Sequence, residues 1–254
     1  MKFPPVGLGT MEIDDPQIIE TALDAGYRHL DTAQIYDNER VVGAALAASD
    51  VAPDDCTVAT KLWADSLGGD AVHASATRSA KRLGADVIDL LYVHRPIDTY
   101  EPHETLAAFD GLHAQGRINA VGVSNFTLDE LATARSVLDA PIAAHQVEFH
   151  PLFWSPALLE DARVHDTTLV AYSPLAGGRV RDLDTLVEIA RAHETTPEAV
   201  AIAWLTAKPH VVTIPKASRR RHQEANLAAA DLTLSTDECR RIDGIDRTVE
   251  LYPE

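Results

Sequence analysis

Short runs of five to eight residues rich in Val, Ile, Leu or Thr recur along the chain, separated mostly by longer stretches with the apolar spacing of amphipathic helices. The strand candidates are VGLGT (6 to 10), RHLDTA (28 to 33), TVATKL (57 to 62), IDLLYVHR (88 to 95), NAVGVSN (119 to 125), AHQVEFH (144 to 150), LVAYSP (169 to 174) and VVTIPKA (211 to 217). Helical stretches between them open on cap-like residues: Asp15 with Pro16, Asn38, Thr127, and Ser155 with Pro156. Gly26, Gly84 and Gly116 each follow a helical pattern and precede a strand, as C-terminal caps do.

Eight strand-helix units in succession predict a parallel sheet, and eight is the number that closes into a (β/α)8 TIM barrel. The sequence therefore predicts one α/β barrel domain over residues 1–254, with an extra pair of C-terminal helices after the last strand. The competing architecture, an open doubly wound sheet, would want a G-x-G-x-x-G turn after an early strand. Gly7 and Gly9 lack the third glycine and no helix follows them directly.

Composition narrows the function classes. The 254 residues are 46% hydrophobic, enough for one large core, and 39 acidic side chains face 22 basic ones, a net charge of -17. Only five residues are lysines: Lys2, Lys61, Lys81, Lys208 and Lys216. Such an acidic chain is unsuited to nonspecific nucleic-acid or anionic-membrane binding, and the balance fits adaptation to high salt, a halophilic source, where screening relieves self-repulsion. Cys56 and Cys239 are far apart and have no metal-ligand spacing. The first residues lack a basic segment leading into an apolar one, and no apolar run approaches ~20 residues, so a soluble cytoplasmic protein is expected.

In a barrel of this kind the chemistry sits at the C-terminal ends of the strands. Asp31, Lys61 and His94 fall there on the second, third and fourth strands. Ser124 and Asn125 end the fifth, Gln146 lies in the sixth, Tyr172 and Ser173 end the seventh, and Lys216 ends the eighth. Each alone has an ordinary structural role open to it; a convergence at one mouth does not. Tyr36, five residues past Asp31, has the reach to join them. A lysine beside its hydroxyl is expected to lower the phenol pKa from about 10, with Asp31 keeping that lysine oriented and charged. His145, Glu148 and His150 invite a metal reading, but strand alternation sets His145 opposite the other two, so no metal site is expected.

The segments GLGT (7 to 10), GYRHLDTAQIYDNE (26 to 39), TKLW (60 to 63), VHRP (93 to 96), GRINAVGVSNF (116 to 126), HQVEFHP (145 to 151), AYSPLAGG (171 to 178) and IPKASRRRHQEAN (214 to 226) stand in the order found in one family. From Val6 to about Pro253 the chain resembles the aldo-keto reductases. The resemblance implies hydride transfer from nicotinamide C4 to the carbonyl carbon of a small aldehyde, ketone or dicarbonyl, with Tyr36 as general acid. Lys61 and Asp31 would tune it, and His94 would orient the carbonyl. It further implies that Ser124, Asn125 and Gln146 hold the carboxamide and that Tyr172 stacks on the nicotinamide. Ser173, Pro174, Leu175 and Gly177 would clamp the pyrophosphate, while Lys216, Ser218, Arg219, His222 and Asn226 would form the adenosine end. Thr10 and Met11 would meet the cofactor from the first strand, and Trp63 and Phe126 would line the substrate pocket beside Tyr36 and His94.

The chain also departs from the family pattern. Arg95 replaces a common tryptophan after the histidine, either to draw an acidic or polyhydroxylated substrate or to pair with Asp98 or Glu101. His222 stands where an arginine often grips the 2′-phosphate of NADP, Ala217 where a serine is common, and Ala225 where a glutamate often contacts adenine. Lys216 and the run Arg219, Arg220 and Arg221 still concentrate positive charge there, so NADP(H) is the expected cofactor, with NAD(H) as the alternative. The short loop from Trp63 to Gly68 predicts an open pocket. Family habit gives a monomer whose partner is a small carbonyl compound. The competing function is a regulatory subunit of the same fold, cofactor-bound but catalytically silent or vestigial, as in potassium-channel β subunits.

Overall fold

The computed structural model describes residues 3–253; Met1, Lys2 and Glu254 lie outside the described residues. Eight strands pair in sequence order, all parallel: Leu8–Gly9 (β1), His29–Asp31 (β2), Thr57–Leu62 (β3), Ile88–Val93 (β4), Ile118–Ser124 (β5), Ile142–Glu148 (β6), Thr168–Tyr172 (β7) and Val211–Thr213 (β8). The sheet curls until its edges meet. Val6 bridges Thr213 in parallel, the Gly7 N–H donates to the Thr213 carbonyl at 2.8 Å, and the Thr213 N–H donates to the Pro5 carbonyl at 3.0 Å. Each observed strand overlaps its predicted segment. The largest shortfall is at β8, where pairing stops before Ile214 and Pro215, the latter having no N–H to give the ladder.

Helices flank the strands as Pro16–Ala25 (α1), Glu39–Ala48 (α2), Gly69–Leu83 (α3), Pro102–Ala114 (α4), Leu128–Val137 (α5), Pro156–His165 (α6), Asp184–Ala192 (α7), Pro197–Thr206 (α8), Arg220–Ala228 (α9) and Thr236–Asp243 (α10). The distribution differs from eight regular units followed by a pair. The β7 to β8 crossover holds two α-helices, α7 and α8, after a 3-10 segment at Ala176–Asp182, and α9 and α10, separated by a 3-10 turn at Ala229–Asp231, follow β8. Among those residues no helix is long and apolar enough to cross a membrane.

The start signals act as caps at three of the four places. Asp15 accepts from the Gln17 N–H, Thr127 forms a reciprocal capping box with Glu130, and Ser155 accepts from the Leu158 N–H. Asn38 holds the N-cap position of α2 but makes no side-chain cap bond. Its amide accepts from the Thr32 hydroxyl at 2.6 Å and donates to the Thr10 and Ile13 carbonyls at 2.7 and 3.0 Å, tying the loop after β1 to the segment that carries Tyr36. Three polar partners, two of them more than twenty residues away, outcompete one local cap.

Strand alternation decides what faces the barrel axis. Along β4, Leu90 and Tyr92 join the interior cluster with Ala59, Ala120, Ala144 and Val170, while Leu91 and Val93 pack outward against the helices. Lys61, two residues past Ala59, is thereby directed inward and is wholly buried. In register, Lys61 lies beside Tyr92 and Tyr92 beside Gly122. The ring occupies the room that Gly122 leaves: a Cβ there would come within 2.5 Å of Tyr92 Cδ1.

Candidate active site

The inward residues at the C-terminal ends of β2, β3 and β6 form a buried charged group. The Lys61 ammonium donates to Asp31 Oδ1 at 2.5 Å and to the Thr32 carbonyl at 2.8 Å, and the Gln146 amide donates to Asp31 Oδ2 at 2.7 Å. Both carboxylate oxygens are thus fixed, which is what a charge out of water requires. Burial is the largest influence on Lys61 and works against its charged form, but Asp31 and Tyr36 together outweigh it and raise its pKa. The lysine is a fixed cation.

Tyr36 closes the 3-10 turn Gln34–Tyr36 that follows β2, with Lys61 Nζ 5.2 Å from its ring centroid. Here the expected direction of the phenol pKa is overturned. Burial pushes it above its ordinary value, and the Lys61 charge opposes that push without reversing it. The hydroxyl is accordingly protonated at neutral pH, the state a proton donor needs. His94, just past β4, meets Tyr36 edge-on at 6.0 Å and Trp63 at 5.0 Å between ring centroids. Burial first, then the charges of Lys61 and Arg95, hold its pKa down to about 2, so the imidazole is neutral.

A cavity of about 320 Å³ opens above this group. Of the residues anticipated from sequence, Thr10, Met11, Asp31, Tyr36, Trp63, His94, Ser124, Asn125, Gln146, Tyr172, Ser173, Pro174 and Lys216 line it. Asn125 is held by three contacts: it accepts from the Tyr172 hydroxyl at 3.0 Å and donates to Ser124 Oγ at 3.1 Å and the His94 carbonyl at 3.2 Å. Its backbone φ of 60°, in the left-handed region, is where the strand turns its side chain toward the cavity mouth. A hydroxyl and two carboxamides facing one cavity beside a tyrosine ring make a donor and acceptor set suited to a planar primary amide, so the residues fit a nicotinamide ring.

Other anticipated residues lie elsewhere. Phe126 is buried against Tyr100 and faces an adjoining cavity of about 660 Å³. Leu175 is packed into the core; Gly177, at φ 60° in the turn after β7, is exposed. Ser218, Arg219 and His222 stand exposed around the start of α9, and Asn226 is buried beside Tyr27. Lys216 sits at the cavity rim with its ammonium 2.6 Å from Glu12, a surface pair with side chains 36% and 73% exposed. Glu148 and His150 pair at 2.8 Å, while His145 accepts from the Phe126 N–H on the other side of the strand.

Four lining residues were not anticipated: Gly9, Ile35, Ile214 and Tyr252. Gly9 and Ile214 stand within segments carrying the family resemblance and were discoverable from them. A Cβ on Gly9 would approach the Ile214 carbonyl oxygen to 2.6 Å, so the first strand comes this close to the eighth only as glycine. Tyr252 follows α10 with no local sequence signal pointing to the site.

Comparison with known proteins agrees with this geometry. The family described as the aldo/keto reductase family matches residues 5–247. Methylglyoxal reductase DkgB of Salmonella typhi is 34% identical over 252 residues, covering 97% of this chain and 94% of that protein. The 9,11-endoperoxide prostaglandin H2 reductase of Trypanosoma cruzi (strain CL Brener) is 33% identical over 258 residues, covering 97% and 89%. Among solved structures, a thermostable aldo-keto reductase in complex with the inhibitor epalrestat superposes with a TM-score of 0.90 at 35% identity, covering 96% of this chain and 95% of that one. An aldo-keto reductase enzyme from a Medee basin deep-sea metagenome library gives 0.95 at 30% identity, covering 100% and 95%.

Proposed function

The chain belongs to the aldo/keto reductase family and reduces carbonyl groups with a nicotinamide cofactor; within that activity we propose that Tyr36 is the general acid, served by Lys61, Asp31 and His94. The observation that supports this most directly is the fixed Asp31–Lys61 pair beneath a protonated phenol and a neutral imidazole in one cavity. The dinucleotide, when bound, supplies the hydride. Tyr36 delivers its proton to the carbonyl oxygen, and the Lys61 cation eases the passing phenolate, whose charge burial would otherwise penalise. His94, neutral and wedged between Tyr36 and Trp63, orients the same oxygen without competing for the proton. Ser124, Asn125 and Gln146 hold the carboxamide, Tyr172 supports the ring face, and the cations around the start of α9 take the phosphates.

The preferred substrates on this reading are small aldehydes, ketones and dicarbonyls, with NADPH favoured over NADH by Lys216 and Arg219. The acidic surface is read as suited to high salt, and the working form as a cytoplasmic monomer. The test is oxidation of NADPH and NADH with a panel of such carbonyls at low and multimolar salt. Turnover with NADPH, retained at multimolar salt, is expected. Cofactor binding without turnover in every combination would instead make the protein a regulatory subunit of this fold.

A further inference from the structure

Glu148 ends β6 with its side chain only 4% exposed, yet its bonds run to His150, Leu251 and Tyr252 and it has no part in the proton transfer described above. Its carboxylate is occupied by three N–H groups. Oε1 lies 2.8 Å from His150 Nε2 and accepts from the Leu251 N–H at 2.7 Å, and Oε2 accepts from the Tyr252 N–H at 3.1 Å. His150 is wholly buried, and its Nδ1 accepts from the Leu152 N–H at 3.2 Å. That contact leaves the ring proton on Nε2, where it donates to Glu148. A fourth bond, from the Val249 N–H to the Leu152 carbonyl at 2.9 Å, extends the attachment. Residues 249–252 are therefore laid across the end of β6 by one buried carboxylate and the turn behind it.

The consequence lies at Tyr252. Its ring meets Tyr172 edge-on, with centroids 5.8 Å apart, and with Arg95, Asn125 and Tyr172 it forms the wall shared by the 320 Å³ cavity over Tyr36 and the 660 Å³ cavity beside it. Phe126, Phe149, Phe153 and Trp154 give the larger cavity an aromatic side, while Arg95, Thr127, Glu148 and Glu250 complete its wall.

We propose that Glu148 is a positioning residue that sets substrate size: by holding residues 249–252 it keeps Tyr252 as a partition between the reacting cavity and an aromatic subsite that accepts the aryl or long alkyl substituent of a larger carbonyl compound. The proposal rests on the placement of the reaction at Tyr36. With the partition in place small carbonyls are favoured; with it released, the two cavities join and the bulky substituent gains an apolar surface to bury.

Two variants separate the holder from the partition. In Glu148→Gln the shape is kept, but the amide NH2 confronts N–H donors where an acceptor stood. In Tyr252→Ala the carboxylate and its bonds are kept and the ring is lost. The measurements are kcat and KM for propanal and 4-phenylbutanal, dinucleotide Kd, and hydrogen exchange at the Leu251 and Tyr252 amides. In both variants the KM ratio of 4-phenylbutanal to propanal is expected to fall about tenfold, with dinucleotide Kd held. Exchange in the 251–252 segment should quicken in Glu148→Gln and not in Tyr252→Ala. An unchanged KM ratio in Tyr252→Ala, or unprotected Leu251 and Tyr252 amides in the unaltered protein, overturns the proposal even if Glu148→Gln fails to fold. If the unaltered protein reduces propanal, such a failure belongs to the partition alone; if it reduces neither aldehyde, the placement of the reaction at Tyr36 fails with it.

Discussion

Gln146 on β6 donates its amide hydrogen to Asp31 Oδ2 on β2 at 2.7 Å, across the mouth of the barrel. One residue of the proposed carboxamide site therefore also completes the hydrogen bonding of the carboxylate that holds Lys61. Replacing Asp31 tests this group as a unit. Asp31→Asn removes the larger of the two influences that together outweigh burial at Lys61 and leaves a buried cation without its counter-charge, which costs about 3–5 kcal/mol. Urea denaturation should show that loss, together with a fall in kcat. A variant as stable as the parent would mean that Lys61 is not held charged by Asp31.

Tyr36→Phe removes the proton donor and keeps the ring. The expected loss in kcat is at least ~10²-fold, with dinucleotide affinity retained; an unchanged rate would remove Tyr36 from the mechanism. The raised phenol pKa adds a pH signature. Reduction needs the protonated hydroxyl, so activity is lost only as pH rises through that pKa. The kcat for reduction should be flat between about pH 6 and 9. A descending limb within that range that Tyr36→Phe abolishes would show Lys61 winning over burial.

Gly122→Ala should be costly although the change is one methyl group. Its Cβ would lie 2.5 and 2.6 Å from two ring carbons of Tyr92, which is fully buried and cannot swing aside. Overpacking of this kind costs about 1–3 kcal/mol. Because Tyr92 lies beside Lys61 in register, kcat should fall as well. Thermal unfolding and turnover of the same sample check both effects.

Acid should destabilise the protein through its buried histidines. His29 and His145 are fully buried, and burial above all lowers their pKa values from 6.5 to about 4 and about 3. The unfolded chain takes up protons below pH 6.5 while the folded one does not, so stability is complete above 6.5 and declines as pH falls toward about 4. The slope is about 1.4 kcal/mol per pH unit for each such histidine. Neither ring nitrogen of His29 has a partner, so His29→Leu should flatten the slope by one proton without loss of stability at neutral pH. Denaturant titrations at a series of pH values measure it.

The strands and the inward-facing polar residues proposed as the site were legible because alternation along a strand is local, and Asp31, Lys61 and Gln146 follow it. The N-cap position of Asn38 is legible in the sequence, but the use of its side chain is not, because Thr10 and Ile13 lie more than twenty residues away and a capping rule sees only neighbours. The direction of the Tyr36 pKa was missed for a related reason: spacing suggests the lysine, but only packing reveals the desolvation that outweighs it. Glu148 could be weighed from sequence only against its neighbours His145 and His150; its partners Leu251 and Tyr252 are over a hundred residues on.

Cofactor choice turns on two exposed places. Lys216, read as a phosphate ligand, is engaged by Glu12 at 2.6 Å, so an incoming phosphate must displace a carboxylate. Glu12→Gln removes that competitor and should tighten dinucleotide binding by at most about fivefold, because the pair is exposed, and less at high salt. His222 stands on α9 beside Arg221, whose Nε donates to His222 Nε2 at 3.2 Å, so that ring nitrogen serves as an acceptor. Arginine there presents a planar charged fork. His222→Arg should therefore tighten NADPH roughly tenfold and leave NADH unmoved, since only the former carries a 2′-phosphate. Fluorescence titration of the two cofactors separates these outcomes. A gain shared equally by both would place His222 near the pyrophosphate, and preference would then rest on Lys216 and Arg219.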